Sequence, residues 1–138
     1  MFDVFTSINW IGVLLAFLAY FFLGALWYML LFSKSYRVSL GRDPNIKTSQ
    51  SPLYIIGPAV CSLIITITCA ILIAALKMSS YTEAIQFILI VSIGYLFTNT
   101  VNIAINPNIP RPFLYGVITG TYHIAGMISV NTILFAML

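Results

Sequence analysis

Few residues in this chain could do chemistry. Its 138 residues include one histidine, three carboxylates and two cysteines. The histidine, His123, closes the run Arg111-Pro-Phe-Leu-Tyr-Gly-Val-Ile-Thr-Gly-Thr-Tyr-His123, in a segment with no charge after Arg111. An ionisable residue inside an apolar span is costly to insert and marks a candidate site. Two roles are open to it. A neutral imidazole can bridge tyrosine or serine neighbours through its two nitrogens. Alternatively, it can gain and lose a proton near physiological pH, or meet a solute. No Asp or Glu lies at its depth, so a permanently protonated histidine is not expected.

Other chemistry is hard to assemble. With one His, two Cys and acids confined to segment ends and a loop, three or four metal ligands do not come together, so neither a metal nor a cofactor is expected. Ser62 could pair with His123, but a triad would lack its orienting carboxylate. The sequence holds no phosphate-binding glycine loop and no zinc-protease motif. Small multidrug antiporters of similar size rely on a membrane-embedded glutamate, and this chain has none. Glu83 stands three residues after Ser80, the spacing of a helix-capping box. Cys61 and Cys69 lie eight residues apart on one segment, roughly 12 Å along a helix, too far for a disulfide. The reading is against an enzyme, and no catalytic residue is assigned.

The elements that must position these residues are legible in the composition. The chain is 61% hydrophobic and 7% charged, with a mean hydropathy of +1.04. Soluble domains carry about 25% charged residues. Four long, predominantly apolar runs, each able to cross roughly 30 Å of hydrocarbon, span about 8–32, 52–76, 81–105 and 112–137. The expected fold is all-α, an integral membrane four-helix antiparallel bundle forming a single transmembrane domain over 1–138. Short connections make segments two, three and four a hairpin series. The apolar run near the N-terminus is longer than a signal-peptide core and is expected to be a retained helix.

Charge sets the expected orientation. The first loop holds Lys34, Arg37, Arg42 and Lys47 against Asp43, the third holds Arg111, and Lys77 is alone on the other side. By the positive-inside rule both termini lie outside the cytoplasm. The expected location is a bacterial inner membrane, crossed several times.

Levelling the segments at about 1.5 Å per residue groups the polar residues by depth. His123 falls about 16 Å in from Pro112, near the midplane. Tyr20, Ser62, Tyr95, Tyr122 and His123 share this layer. A second layer nearer the cytoplasm holds Trp27, Tyr28, Asn99, Asn102, Tyr115 and Thr119. A third pairs Asn9 with Asn131. Buried donors and acceptors at one depth can satisfy one another. The first two layers suggest a polar intramembrane pocket lined by segments one, three and four. Such a pocket would bind or pass a small solute, a proton or a lipid headgroup. The alternative is an accessory or structural subunit packed against a larger membrane complex, which the Gly, Ala and Ser stripes on segments one and two would suit. Membrane lipids and a second copy of the chain are the expected partners, and nucleic acid is not.

Asn9-Trp10, Gly24-Ala-Leu-Trp27-Tyr28, Arg111-Pro-Phe and Gly120-Thr-Tyr-His123 succeed one another in an order and spacing that carry a resemblance. The chain resembles a bacterial four-helix membrane family of unknown function (DUF 1761) over nearly its whole length. After Tyr28 it reads Met-Leu-Leu-Phe, without the proline of Trp-Tyr-x-Pro forms. The resemblance implies a compact inner-membrane bundle and supplies no activity.

Overall fold

Long apolar runs favour helices because within lipid a helix satisfies its backbone groups inside a single segment. A computed structural model describes residues 2–46 and 51–137, and among these the chain is helical, without strands. Four helices are long and apolar enough to cross a membrane: α1 (Trp10–Leu31), α3 (Leu53–Ala75), α4 (Tyr81–Ala104) and α5 (Pro112–Ala136). Each begins and ends within two residues of its sequence-predicted bounds. The first loop contains a further short helix, α2 (Ser33–Ser39). Lys47 lies outside the described residues.

Local chemistry fixes the helix ends. Asn9 caps α1, its side-chain oxygen accepting from the N–H groups of Ile11 and Gly12. The Asn9 amide nitrogen donates to the Met137 carbonyl at 2.9 Å and so ties the start of α1 to the end of α5. The expected partner at that depth, Asn131, is instead fully buried, with neither amide atom hydrogen-bonded to a described residue. At the start of α4 the Ser80 hydroxyl accepts from the Glu83 N–H at 3.2 Å, as the capping spacing predicts. The Glu83 carboxylate closes on the Ser79 N–H at 2.9 Å, one residue earlier than the ideal box. Pro112 opens α5, where its missing N–H leaves no bond unmade.

The bundle is organised around α5, with α1 on one side, α4 on another, and α3 packed chiefly on α1. Glycines on α5 explain its central place. A Cβ at Gly126 would overlap the Tyr20 ring of α1, and one at Gly120 would overlap the Phe97 ring of α4. Both neighbours therefore approach α5 more closely than a side chain would allow. Between α3 and α4 lies an apolar crevice of about 150 Å³, lined by residues including Ile64, Leu72, Phe87 and Val91 and reaching Met127 of α5.

The outer surface suits lipid. Ile11, Phe22, Leu30, Ile64, Ile90 and Phe113 are each more than half exposed, a liability in water but a match for acyl chains. The basic loops lie at one end: the Arg111 N–H donates to the Ser39 carbonyl at 3.3 Å, joining the third loop to the first. Lys77 occupies the turn at the other end, between α3 and α4.

Candidate functional site

The seam between α1 and α5 gathers the interior polar residues. Tyr20 is fully buried, held against the bare backbone of Gly126. Its hydroxyl meets His123 Nδ1 at 2.7 Å. The phenol donates if Nδ1 is bare and accepts if Nδ1 carries the proton, so the tautomer sets the direction of the bond. Tyr122 stacks obliquely on Tyr20, with ring centroids 5.3 Å apart. Its hydroxyl reaches toward the Tyr20 carbonyl at 3.5 Å, in space that a side chain at Gly24 would occupy.

From this pair a file of aromatic rings leads toward the basic end. Tyr28 lies 5.2 Å from Tyr122 and 4.8 Å from Tyr36, and Tyr36 lies 5.7 Å from Tyr115. Trp27 flanks the file, its indole N–H donating to the Ile118 carbonyl at 2.9 Å. The Thr119 hydroxyl is buried beside the Tyr28 phenol but outside hydrogen-bond geometry, and it has no partner among the described residues. Tyr36, on α2 outside the spans, has its phenol pushed up to about 12, chiefly by burial. Tyr115 adds to that shift and Arg42 opposes it.

Seven of the residues singled out from the sequence therefore meet along one seam: His123, Tyr122, Tyr20, Trp27, Tyr28, Thr119 and Tyr115. Ser62 does not join them through its hydroxyl, which donates back to the Ala59 carbonyl of its own helix at 3.0 Å. Tyr95, Asn99 and Asn102 sit apart, exposed on the outer face of α4, with Tyr95 73% exposed.

A local change of helix type explains that separation. In a regular helix, residues eleven apart share a face. Tyr95 and Asn99 would then continue the stripe of Ala84 and Ile88, both of which are buried. The residues Ser92–Phe97 form π turns instead, and the Thr98 hydroxyl donates to the Ile93 carbonyl five residues back. The extra residue in the turn rotates the rest of the helix by about 100°. The buried stripe then runs Ala84, Ile88, Ser92, Thr100, Ala104, always in multiples of four, and Tyr95, Asn99 and Asn102 turn outward.

Sequence reasoning missed Tyr36, which closes the aromatic file. The available signal was its place eight residues after Tyr28, two helical turns on, hidden by the charged character of the loop.

The seam holds no cluster of three or more metal-ligating side chains among the described residues. Its chemistry is that of hydroxyls, an imidazole and an indole N–H, which can exchange protons or hydrogen-bond a small polar group. Fold and surface together define a multi-pass α-helical membrane protein with an aromatic–imidazole seam. The family described as "Protein of unknown function (DUF1761)" matches residues 11–135, and the chain belongs to that family. Comparisons with curated proteins and with solved structures gave no match.

Proposed function

We propose that this is a multi-pass protein of the bacterial inner membrane, both termini outside the cytoplasm, that takes up a proton or a small polar group at the Tyr20–His123 pair. The observation that supports this most is the 2.7 Å bond between the Tyr20 hydroxyl and His123 Nδ1, at the head of a ring file reaching the basic end. Ring centroids 4.8–5.7 Å apart leave little space within the file. A proton, or the hydroxyl of a headgroup, suits it better than a bulky solute. The Thr119 hydroxyl, buried beside the Tyr28 phenol, offers a further donor and acceptor along the way. The orientation rests on Lys34, Arg37, Arg42 and Arg111 at one end against Lys77 at the other.

Reconstituted vesicles enclosing a pH-sensitive dye test the proposal, together with ring-nitrogen NMR of His123. Proton uptake that falls in His123→Gln and Tyr20→Phe is the expected result. Equal uptake in all three proteins, with no imidazole titration between about pH 5 and 8, removes the pair from any function.

A second reading, an accessory subunit of a larger complex, draws on α3. This helix exposes Tyr54, Ile55, Ile56 and Val60 around Gly57, where an added Cβ would meet nothing within 4 Å. A different membrane protein recovered in stoichiometric amount from mild detergent, and lost on Gly57→Leu, would favour it.

A further inference from the structure

The π turns of α4 rotate a polar stripe out of the bundle. Gly94, Tyr95, Thr98, Asn99 and Asn102 are all exposed or half-exposed, on a helix long and apolar enough to cross a membrane. The Thr98 hydroxyl is satisfied by its own helix. The side chains of Tyr95, Asn99 and Asn102 make no hydrogen bond to any described residue. Asn99 lies five residues inside the Ala104 end, about 7 Å along the axis, and Tyr95 about 13 Å. At those depths acyl chains offer neither donors nor acceptors, so an amide gains by meeting another helix.

We propose that this stripe is the face on which a second copy of the chain docks. An amide carries both donors and an acceptor, so two asparagines one turn apart are complementary to themselves. The basic loops share one end of the bundle, so two copies insert the same way and a two-fold axis between them runs along the membrane normal. That axis brings equal depths together, Asn99 against Asn99 and Asn102 against Asn102, as a self-complementary interface requires. At Gly94 an added Cβ would meet nothing within 4 Å, so the opposing backbone can come close there. Ile90, Ile93 and Ile103, all exposed, flank the amides with apolar surface. This interface is independent of the Tyr20–His123 pair, which faces the other way, into the bundle.

The test uses the full chain in lipid vesicles, labelled for energy transfer and diluted with lipid. Wild type should show transfer that declines with dilution. Asn99→Leu with Asn102→Leu should weaken association roughly tenfold or more, and Asn99→Gln with Asn102→Gln should restore part of it. At dilutions where both proteins are monomeric, thermal unfolding of the Leu double variant should match wild type, since neither side chain packs inside the bundle. In a Cys61→Ala background, Tyr95→Cys should give an oxidised dimer and Tyr54→Cys should not. Three results would each overturn the proposal: monomer-level transfer in wild type at every dilution, association unchanged in the Leu variant, or cross-linking of Tyr95→Cys in native membranes to a different polypeptide.

Discussion

The α1–α5 seam and the outer stripe of α4 carry the same kinds of residue and use them in opposite ways. At the seam, Asn9, Tyr20 and Trp27 each bond to a group at least 91 positions away in sequence. Those bonds knit the two ends of the chain into one interior. On α4, Tyr95, Asn99 and Asn102 bond to nothing in the described chain and face outward. The difference lies in backbone geometry rather than side-chain chemistry. Gly24 and Gly126 let the seam close, and the Ser92–Phe97 π turns swing the stripe away. In a membrane helix a polar residue shows that a partner is needed, and the backbone decides whether the partner is internal.

The same substitution made in both regions gives the sharpest test. Gly126→Leu drives a side chain into the Tyr20 ring and should destabilise the bundle by about 3 kcal/mol, the upper end of the usual range for overpacking. Gly94→Leu meets open space within the chain and should leave thermal unfolding of the detergent-dispersed monomer unchanged. Equal destabilisation by the two would erase the contrast. A smaller effect separates the phenols. Tyr20→Phe strips the partner from His123 Nδ1 and should lower stability by about 1 kcal/mol, whereas Tyr95→Phe should fall within about 0.5 kcal/mol of wild type.

A separate effect concerns pH at the basic end of the aromatic file. Burial raises the Tyr36 phenol from its ordinary value near 10 to about 12. The unfolded chain therefore loses this proton first as pH rises, and the folded state is left binding more protons. Stability should be level below about pH 10 and decline between 10 and 12, and Tyr36→Phe should flatten that decline. Alkaline unfolding followed by circular dichroism would show it, and identical curves for the two proteins would mean that Tyr36 is wetter than the packing around it indicates.

How much of this was legible depended on which coordinate was asked for. Helix positions were readable because a run of apolar residues bounded by Pro112, or by the Ser80–Glu83 cap, has few other ways to fold. Depth was readable too: counting rise per residue set Tyr20, Tyr122 and His123 level, and they touch. On α4 azimuth was readable only as far as the π turns at Ser92–Phe97. Tyr95 has the expected depth and the wrong side, because one extra residue in a turn costs little and leaves no mark in the hydrophobic pattern. Helix α2 went unseen for another reason. Ser33–Ser39 has no apolar run, and its Tyr36 is recruited by Tyr28 and Tyr115, contacts that local sequence does not announce. Asn9 was expected opposite Asn131, but a backbone carbonyl at Met137 satisfied it instead.

The Tyr20–His123 bond also sets a timetable for making the protein. Its two halves are 103 residues apart, so a chain emerging at about 5–20 residues per second completes the pair roughly 5–20 s after Tyr20 is made. During that interval α1 is in the bilayer without α5, and its Tyr20 hydroxyl has no histidine to meet. Of the four spans α5 comes last in the sequence, so the bundle cannot close around it until the other three have been made.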